Sequence, residues 1–244
     1  MQKYSNIPIE ATHCRSVGLV KGGHYFLKSK DADIFIGAAE NGKQGDRAPG
    51  HSDIFSFELF YKNSLFIIDP GTNSFNKDPE VYNRLRSIRR HNSVYIDDLQ
   101  IDLAHPKLLE WKSNNDEDIL SVQHYAYIKL PDPVICKRTF HLNKETNLFR
   151  IKDELIGGIE HHANANLHFH PSIILRKIDD NHYSANTDVK AIEIKFHSPS
   201  DYFNTSIREV EYSPRYGKLG KTNKISIHIK DKFPSFFITE IILL

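Results

Sequence analysis

The stretch PGHSDIFSFELFYKNSLFIIDPGT, residues 49–72, alternates apolar and polar side chains on both sides of a short polar interruption. Alternation with a period of two is typical of β-strands that bury one face. We therefore predict one strand over residues 53–61 and a second over residues 64–71. Lys62 and Asn63 form the turn that joins them into an antiparallel hairpin. The sequence DPGT that closes the second strand is rich in turn-forming residues.

Similar period-two segments continue along most of the chain. The further expected strands cover residues 24–29, 33–39, 92–97, 134–142, 147–155, 165–178, 188–198, 224–231 and 236–243. One short helical segment is expected near residues 78–88, and GIEHHANAN, residues 158–166, is interpreted as a turn. Many short strands separated by turns favour antiparallel sheets over a parallel sheet. The predicted fold class is therefore all-β, an antiparallel β-sandwich with one short helical segment.

Composition limits the classes of partner. The 244 residues carry a formal net charge of +1, which provides no long-range attraction for nucleic acid, so no nucleic-acid partner is expected. No apolar run approaches the roughly 20 residues of a membrane-spanning helix, so no membrane span is expected. The N-terminus lacks the apolar segment of a signal peptide. These features favour a cytoplasmic chain, or a periplasmic one whose export signal lies elsewhere.

The chain is long enough for one large all-β domain. Residues 1–17 are expected to be an N-terminal extension and residues 18–244 the sandwich domain. Cys14 and Cys136 lie far apart in the sequence, and neither belongs to a CxxC pair. Buried free thiols are predicted for them, with a single disulfide as the alternative.

Ionisable residues interrupt the most apolar part of the sequence. If residues 51–59 are extended, His51 and Asp53 share the face of the apolar residues that follow them. Asp69 ends the second strand of the hairpin, and His91 precedes the strand over residues 92–97. Ionisable groups among apolar side chains are costly unless they are paired or bind a metal. Two imidazoles and one carboxylate are also the protein ligands of an open zinc site.

A purely structural interpretation also explains these residues. Asp69 then caps its own turn, and His91 donates a hydrogen bond to a backbone carbonyl. His168 and His170 share one face of a strand and are interpreted as an outward polar face.

The order of the motifs resembles a known family. PGHSDIFSFELFYKNSLFIIDPGT, followed by RLRSIRRHNSVYIDD, is similar to the signature of the heparinase II/III-like family of polysaccharide lyases. In that family the pattern runs roughly H-x-D-x-x-S-F-E-L, D-P-G-T and R-S-T-x-x-H-N-T-V. The segments ICKRTFHL, LHFHPSI and SPRYGKLG resemble its later strands. The similarity extends from about Gly18 to the end of the chain.

The resemblance implies a fold, a metal site and a partner. Members of this type combine an N-terminal helical toroid with a C-terminal β-sandwich, and this chain resembles the sandwich alone. The zinc-binding positions of the family fall on His51, Asp69 and His91. Many relatives carry a second histidine in the pattern H-x-H-x-D, where this chain has Pro49, and Ile88 stands where Thr is usual. A helical toroid domain or subunit is the expected partner.

The reaction that the resemblance implies is β-elimination on an acidic polysaccharide that contains uronic acid. Tyr82, Arg84 and Arg86 are candidates for binding the anionic sugar, or alternatively form a solvated helix face. His124 either faces the same groove or lies on the surface of the sheet. The main catalytic acid and base are expected outside this chain, so the isolated chain is expected to have little lyase activity.

Three functional classes follow. The first is the sandwich part of a polysaccharide lyase. The second is a non-catalytic module that binds acidic glycans or serves surface-polysaccharide assembly. The third is a metal-dependent oxygenase or cupin, in which Asp53 rather than Asp69 completes a two-histidine-one-carboxylate site. The identity of the aspartate therefore distinguishes the lyase module from the oxygenase.

Overall fold

The computed structural model describes residues 15–40, 51–71, 79–101, 104–215 and 217–244, without the side chains of Pro79 and Tyr82. The strands are β1 (Val17–Leu19), β2 (His24–Lys28), β3 (Ala32–Gly37), β4 (Phe57–Tyr61), β5 (Ser64–Ile67), β6 (Val94–Ile96), β7 (Pro106–Ser113), β8 (Glu117–Tyr127), β9 (Val134–Asn143), β10 (Leu148–Ile156), β11 (Glu160–His168), β12 (Ile174–Asp179), β13 (His182–Asn186), β14 (Ala191–His197), β15 (Tyr202–Arg215), β16 (Lys218–Lys232) and β17 (Ser235–Leu243). The helical segments are α1 (Pro79–Leu85) and the 3-10 turns Val20–Gly22 and Ile88–Arg90.

Among the described residues all the strand pairs are antiparallel, in sheets of five, eight and four strands. Their orders are β1-β2-β3-β4-β5, β12-β13-β14-β17-β10-β9-β8-β7 and β15-β16-β11-β6. Ile67 forms a bridge with Phe169, and the Ile68 N–H donates to the His168 carbonyl over 3.0 Å. These bonds join the five-stranded and four-stranded sheets edge to edge into one layer. The eight-stranded sheet is the other layer.

The hydrophobic core lies between the two layers. Phe57 of β4 contacts Phe140 of β9 and Phe149 of β10, with ring centroids 6.0 and 5.6 Å apart. Tyr183 of β13 and Thr205 of β15 lie on opposite layers, and their hydroxyl groups share a hydrogen bond of 2.8 Å. Such interdigitation of the inner faces is the packing of a β-sandwich. The predicted fold class is confirmed.

The hairpin predicted around Lys62 and Asn63 is present between β4 and β5. Both residues have positive φ, 47° and 59°, as a two-residue turn matched to the strand twist requires. The hairpin predicted from residues 134–155 is also present as β9 and β10. Cys136 is a buried free thiol, whereas Cys14 lies outside the described residues. Within the described ranges, no helix is long and apolar enough to span a bilayer.

The interpretation of residues 158–166 as a turn is wrong, because most of that segment is in β11. Ala163, Ala165 and Leu167 point into the core, and β11 pairs with β16 on one side and β6 on the other. The alternation expected of a strand is weak in this sequence, because its inward residues are mostly small alanines and the residues between them are histidines and asparagines. His168 is also completely buried rather than on an outward polar face.

Candidate functional site

The segment before β4 is irregular rather than extended. Phe55 has φ of 58°, and the Ser56 N–H donates to the Asp53 carbonyl over 2.8 Å, which turns the chain. The strand therefore begins at Phe57, and the shared face predicted for His51 and Asp53 is wrong. His51 is half-buried, whereas Asp53 is exposed.

Asp69 and His91 form the centre of the candidate site. Asp69 follows β5, and its Oδ2 accepts a hydrogen bond of 2.7 Å from Nδ1 of His91. Its Oδ1 accepts a second bond, of 2.9 Å, from the Gly71 N–H. The His91 side chain is 0% exposed, at the end of the 3-10 turn Ile88–Arg90. Asp69 thus closes its own turn and also orients the imidazole.

His51 lies on the other side of this pair. Its ring centroid is 5.3 Å from that of His91, at an interplanar angle of 51°. His91 therefore contacts both Asp69 and His51, the other two residues of the predicted metal set. Three separate loops supply these residues: one before β4, one after β5 and one after the 3-10 turn Ile88–Arg90. Asp53 makes no such bond to His91 among the described contacts.

The electrostatics of the cluster are those of a coupled pair. Burial opposes the charge of Asp69, but the positive charge and hydrogen bond of His91 bring the pKa of this carboxyl down to about 2. Burial likewise opposes the protonation of His91, but Asp69 outweighs it and raises the pKa of the imidazole. Burial and the charge of His91 lower the pKa of His51. Asp69 therefore favours the charged form of His91, and burial together with the charged His91 favours the neutral form of His51.

The three donors suit zinc in kind, and the buried Nε2 of His91 has no hydrogen-bond partner in the described part of the chain. Asp69 and Nδ1 of His91 are bonded to each other, however. Among the described residues, no group of three or more His, Cys, Asp or Glu side chains is arranged to hold a metal ion. A metal bound to both residues would replace their mutual hydrogen bond.

A buried asparagine that the sequence reasoning missed holds His91 in place. The Asn92 side-chain amide donates to the carbonyls of Phe57 and Ile68 over 2.8 and 2.9 Å. Its Oδ1 accepts a bond of 2.8 Å from the His168 N–H. Asn92 thereby ties the residue after His91 to β4, to the end of β5 and to β11. The sequence feature that could have identified Asn92 is its position directly after the candidate ligand His91.

A cavity of about 640 Å³ adjoins the cluster. In the described part of the chain its lining contains five cationic side chains and no acidic one: Arg84, Arg86, Arg89, Arg90 and Lys224, with Asn83, Ser87 and Gln100. The charge of Arg86 acts on His51, and Asp69 acts on Arg90, so the cavity and the cluster interact electrostatically. Arg84 pairs with Glu211 over 2.9 Å. The arrangement is suited to an anionic ligand.

The candidate substrate-binding residues are divided by the fold. Arg84 and Arg86 line the cavity, and the Tyr82 side chain lies outside the described part of the chain. His124 is 1% exposed and its ring packs against those of Phe55 and Tyr127. Burial lowers the pKa of His124 to about 3. This histidine is a neutral core residue and lies neither in the cavity nor on the surface.

Comparisons with known proteins agree with the fold. A family model described as "Heparinase II/III-like, C-terminal" matches residues 14–236. A heparan sulfate lyase HepC from Pedobacter heparinus superposes with a TM-score of 0.81 at 19% identity, over 96% of this chain and 37% of that one. The heparinase III-BT4657 gene product gives 0.81 at 18% identity, over 94% and 36%. A structure of heparinase III gives 0.79 at 16% identity, over 91% and 36%.

The chain thus spans little more than a third of the length of these solved structures. At such low identity the superpositions show a shared fold. A search of curated proteins gives no match.

Proposed function

The chain belongs to the heparinase II/III-like C-terminal family, and on that premise we propose that it is the β-sandwich part of a polysaccharide lyase. The proposed substrate is an acidic glycan that contains uronic acid, and the proposed reaction is β-elimination. A helical toroid domain or subunit supplies the main acid and base. The support from the fold is that the solved structures that this chain resembles are more than twice its length.

The observation that carries the proposal is the basic cavity beside the imidazole–carboxylate cluster. A cavity whose described lining holds five cations and no carboxylate favours an anionic ligand. Its volume of about 640 Å³ lies in the usual range for small-ligand sites, roughly 300–1,000 Å³. One or two acidic sugar units of a longer chain fit that description.

The chemistry explains why cations are needed. In β-elimination a base removes the proton beside the sugar carboxylate, and the released electron pair forms a double bond. The bond to the 4-oxygen breaks, and that oxygen takes its electron pair and then a proton from an acid. Negative charge accumulates on the sugar carboxylate during proton removal, so fixed positive charge lowers the barrier. Arg84 and Arg86 are the proposed carboxylate-binding residues, with Tyr82 beside them in sequence.

Zinc is part of the proposal, with His51, Asp69 and His91 as its ligands. The support is their donor chemistry and the 5.3 Å between the two imidazole centroids. When bound, the metal supplies a fixed positive charge and links three loops of the sandwich. Asp69, which already contacts His91, favours this set over an oxygenase-type set that contains Asp53.

A non-catalytic glycan-binding module is the second candidate. The observation that favours it is Pro49, which stands where many relatives carry a histidine. Such a module uses the same cavity and binds the same class of glycan. The two candidates differ only in product formation.

Binding and turnover therefore test the proposal. We expect the purified chain to bind heparosan, alginate or hyaluronan, but not neutral dextran, in isothermal titration calorimetry. We expect no rise in the ultraviolet absorbance of unsaturated uronate from the chain alone, and a rise when the proposed helical toroid is present, either joined to the chain in an extended protein or added as a subunit. Equal binding of dextran contradicts the acidic-glycan proposal. Binding without product in the extended protein favours the non-catalytic module, and product from the chain alone places the acid and base within it.

A further inference from the structure

We propose that Lys224 and Arg90 form an oxyanion subsite that receives a sulfate or carboxylate group of the acidic glycan. The inference rests on the proposed function and deepens it. It assigns a role to Lys224, which belongs to none of the family motifs. The subsite lies where the 3-10 turn Ile88–Arg90 approaches the outer face of the four-stranded sheet.

Lys224 is held at the cavity by a neutral partner alone. Its Nζ donates a bond of 2.7 Å to Oδ1 of Asn166, on the neighbouring strand β11. Asn166 is itself 1% exposed, and its amide donates to the Arg89 carbonyl over 3.0 Å. In the described part of the chain, no carboxylate lies within ion-pair distance of Lys224. The ammonium group is therefore oriented but not neutralised.

Arg90 also lines the cavity, and one donor of its guanidinium group lacks an acceptor within the described ranges. Its Nη2 donates to the Glu211 carbonyl, but its buried Nε has no acceptor among the described residues. Buried polar groups are nearly always hydrogen-bonded, and an orphaned donor often marks a bound ion or water. An oxyanion between Arg90 and Lys224 supplies acceptors for both.

The charges around Lys224 support the same conclusion. Burial, followed by the charges of Arg90 and Arg208, lowers the pKa of Lys224 to about 8. A half-buried ammonium beside two guanidinium groups is destabilised unless an anion approaches it. Hydrogen bonds from charged donors to an oxyanion are stronger than neutral ones, so the site gains specificity for sulfate or carboxylate over a hydroxyl group.

Lys221 provides a matched control. It lies three residues earlier on β16, is exposed, and pairs with Glu209 away from the cavity lining. Lys221→Gln and Lys224→Gln remove the same charge from the same strand. A difference between them therefore reports position rather than net charge.

The test is calorimetric titration of the full chain and its variants with heparosan and heparan sulfate tetrasaccharides. We expect Lys224→Gln to weaken binding about tenfold, the usual effect of one charged hydrogen bond, and Lys221→Gln to change it less than about twofold. Lys224→Arg, which keeps the charge, should retain most of the affinity. Loss for both glycans identifies a carboxylate ligand, and loss for heparan sulfate alone identifies a sulfate. Equal effects of the two glutamine variants, or no effect of Lys224→Gln, overturn the subsite.

Inorganic sulfate separates this inference from the proposed function. We expect sulfate to raise the thermal midpoint of the wild-type chain and of Lys221→Gln more than that of Lys224→Gln. That result without any glycan binding retains the oxyanion subsite and contradicts the glycan proposal. Glycan binding that is insensitive to Lys224→Gln retains the glycan proposal and contradicts the oxyanion subsite. Circular dichroism of each variant confirms that the fold is intact.

Discussion

Arg138 of β9 and Asp153 of β10 lie directly opposite each other and form a bidentate ion pair inside the sandwich. Nε and Nη2 of Arg138 donate to the two carboxylate oxygens over 2.6 and 3.0 Å. The remaining nitrogen, Nη1, donates to the carbonyls of Phe55 and Asn92 over 2.9 and 2.7 Å. The pair therefore connects the eight-stranded sheet to the loops that carry His51 and His91.

We expect Arg138→Met to lower the free energy of unfolding by about 3–5 kcal/mol, because it leaves the Asp153 carboxylate buried without a partner. It also removes the donor to the Phe55 and Asn92 carbonyls. Urea denaturation followed by circular dichroism measures the loss. Arg150→Gln, which breaks an exposed pair with Glu240, should cost less than about 1 kcal/mol; a similar cost for both variants contradicts the structural role of Arg138.

Asn92→Ala should destabilise the fold by roughly 2–4 kcal/mol, since it leaves the Phe57 and Ile68 carbonyls and the His168 N–H without their partners. The measurement is again urea denaturation. Asn186→Ala is the control, because the one side-chain partner of its amide in the described part of the chain is Ser184, on the same strand. A loss below about 1 kcal/mol for Asn92→Ala would show that these three bonds contribute little to the site.

His161 makes the stability depend on pH. Burial acts to lower the pKa of His161, but its bonds to Asp97 and Asp132, of 2.7 and 3.1 Å, outweigh burial and raise it. A raised pKa in the folded state gives stabilisation that is complete below the unfolded value of about 6.5 and is lost as the pH rises through the folded value.

His161→Gln should therefore cost more at about pH 5.5 than at about pH 8.5, by roughly 1–2 kcal/mol. Urea denaturation of both proteins at the two pH values gives the comparison. His162→Gln, at the exposed neighbouring position, should show no such difference. A cost of His161→Gln that is the same at both pH values rules out a charged imidazole between the two aspartates.

Metal analysis tests the proposed ligands. We expect about one zinc per chain in the wild type after dialysis against zinc, and a large loss in His91→Ala, because two ligands do not retain the ion. His162→Ala is the control, since that histidine is exposed and distant from the cluster in sequence. Equal zinc in the wild type and in His91→Ala would exclude His91 as a ligand.

Local sequence patterns were sufficient to predict the turns and hairpins, because neighbouring residues decide their conformation. The turn at Lys62 and Asn63 and the hairpin of β9 and β10 follow from alternation and turn chemistry, and both are present. β11 was missed because its inward residues are mostly small and its outward ones include buried histidines and asparagines. The strand is stabilised by its pairing with β6 and β16, and these long-range hydrogen bonds are not visible in its local sequence pattern.

The candidate site was predictable in part. The cost of ionisable groups in apolar sequence pointed to His51, Asp69 and His91, and His91 lies against each of the other two. Arg138 and Asp153 were detectable in principle. Each occupies a position in its strand's alternating pattern at which the other residues are buried, and the two strands are neighbours in one sheet. Lys224 carried no local signal at all, since its surroundings come from β11 and from the turn at Arg90.

The sequence by itself determined the strands with clear period-two alternation, the hairpin turns and the family, because alternation, turn residues and ordered motifs are properties of neighbouring residues. Only the tertiary structure decided that His51 sits beside His91, that His124 is buried in the core, and that Lys224 completes a basic cavity. The physical reason is that burial and charge depend on distances between segments far apart in the chain. Those distances are set when the two layers of the sandwich pack and exclude water from the space between them.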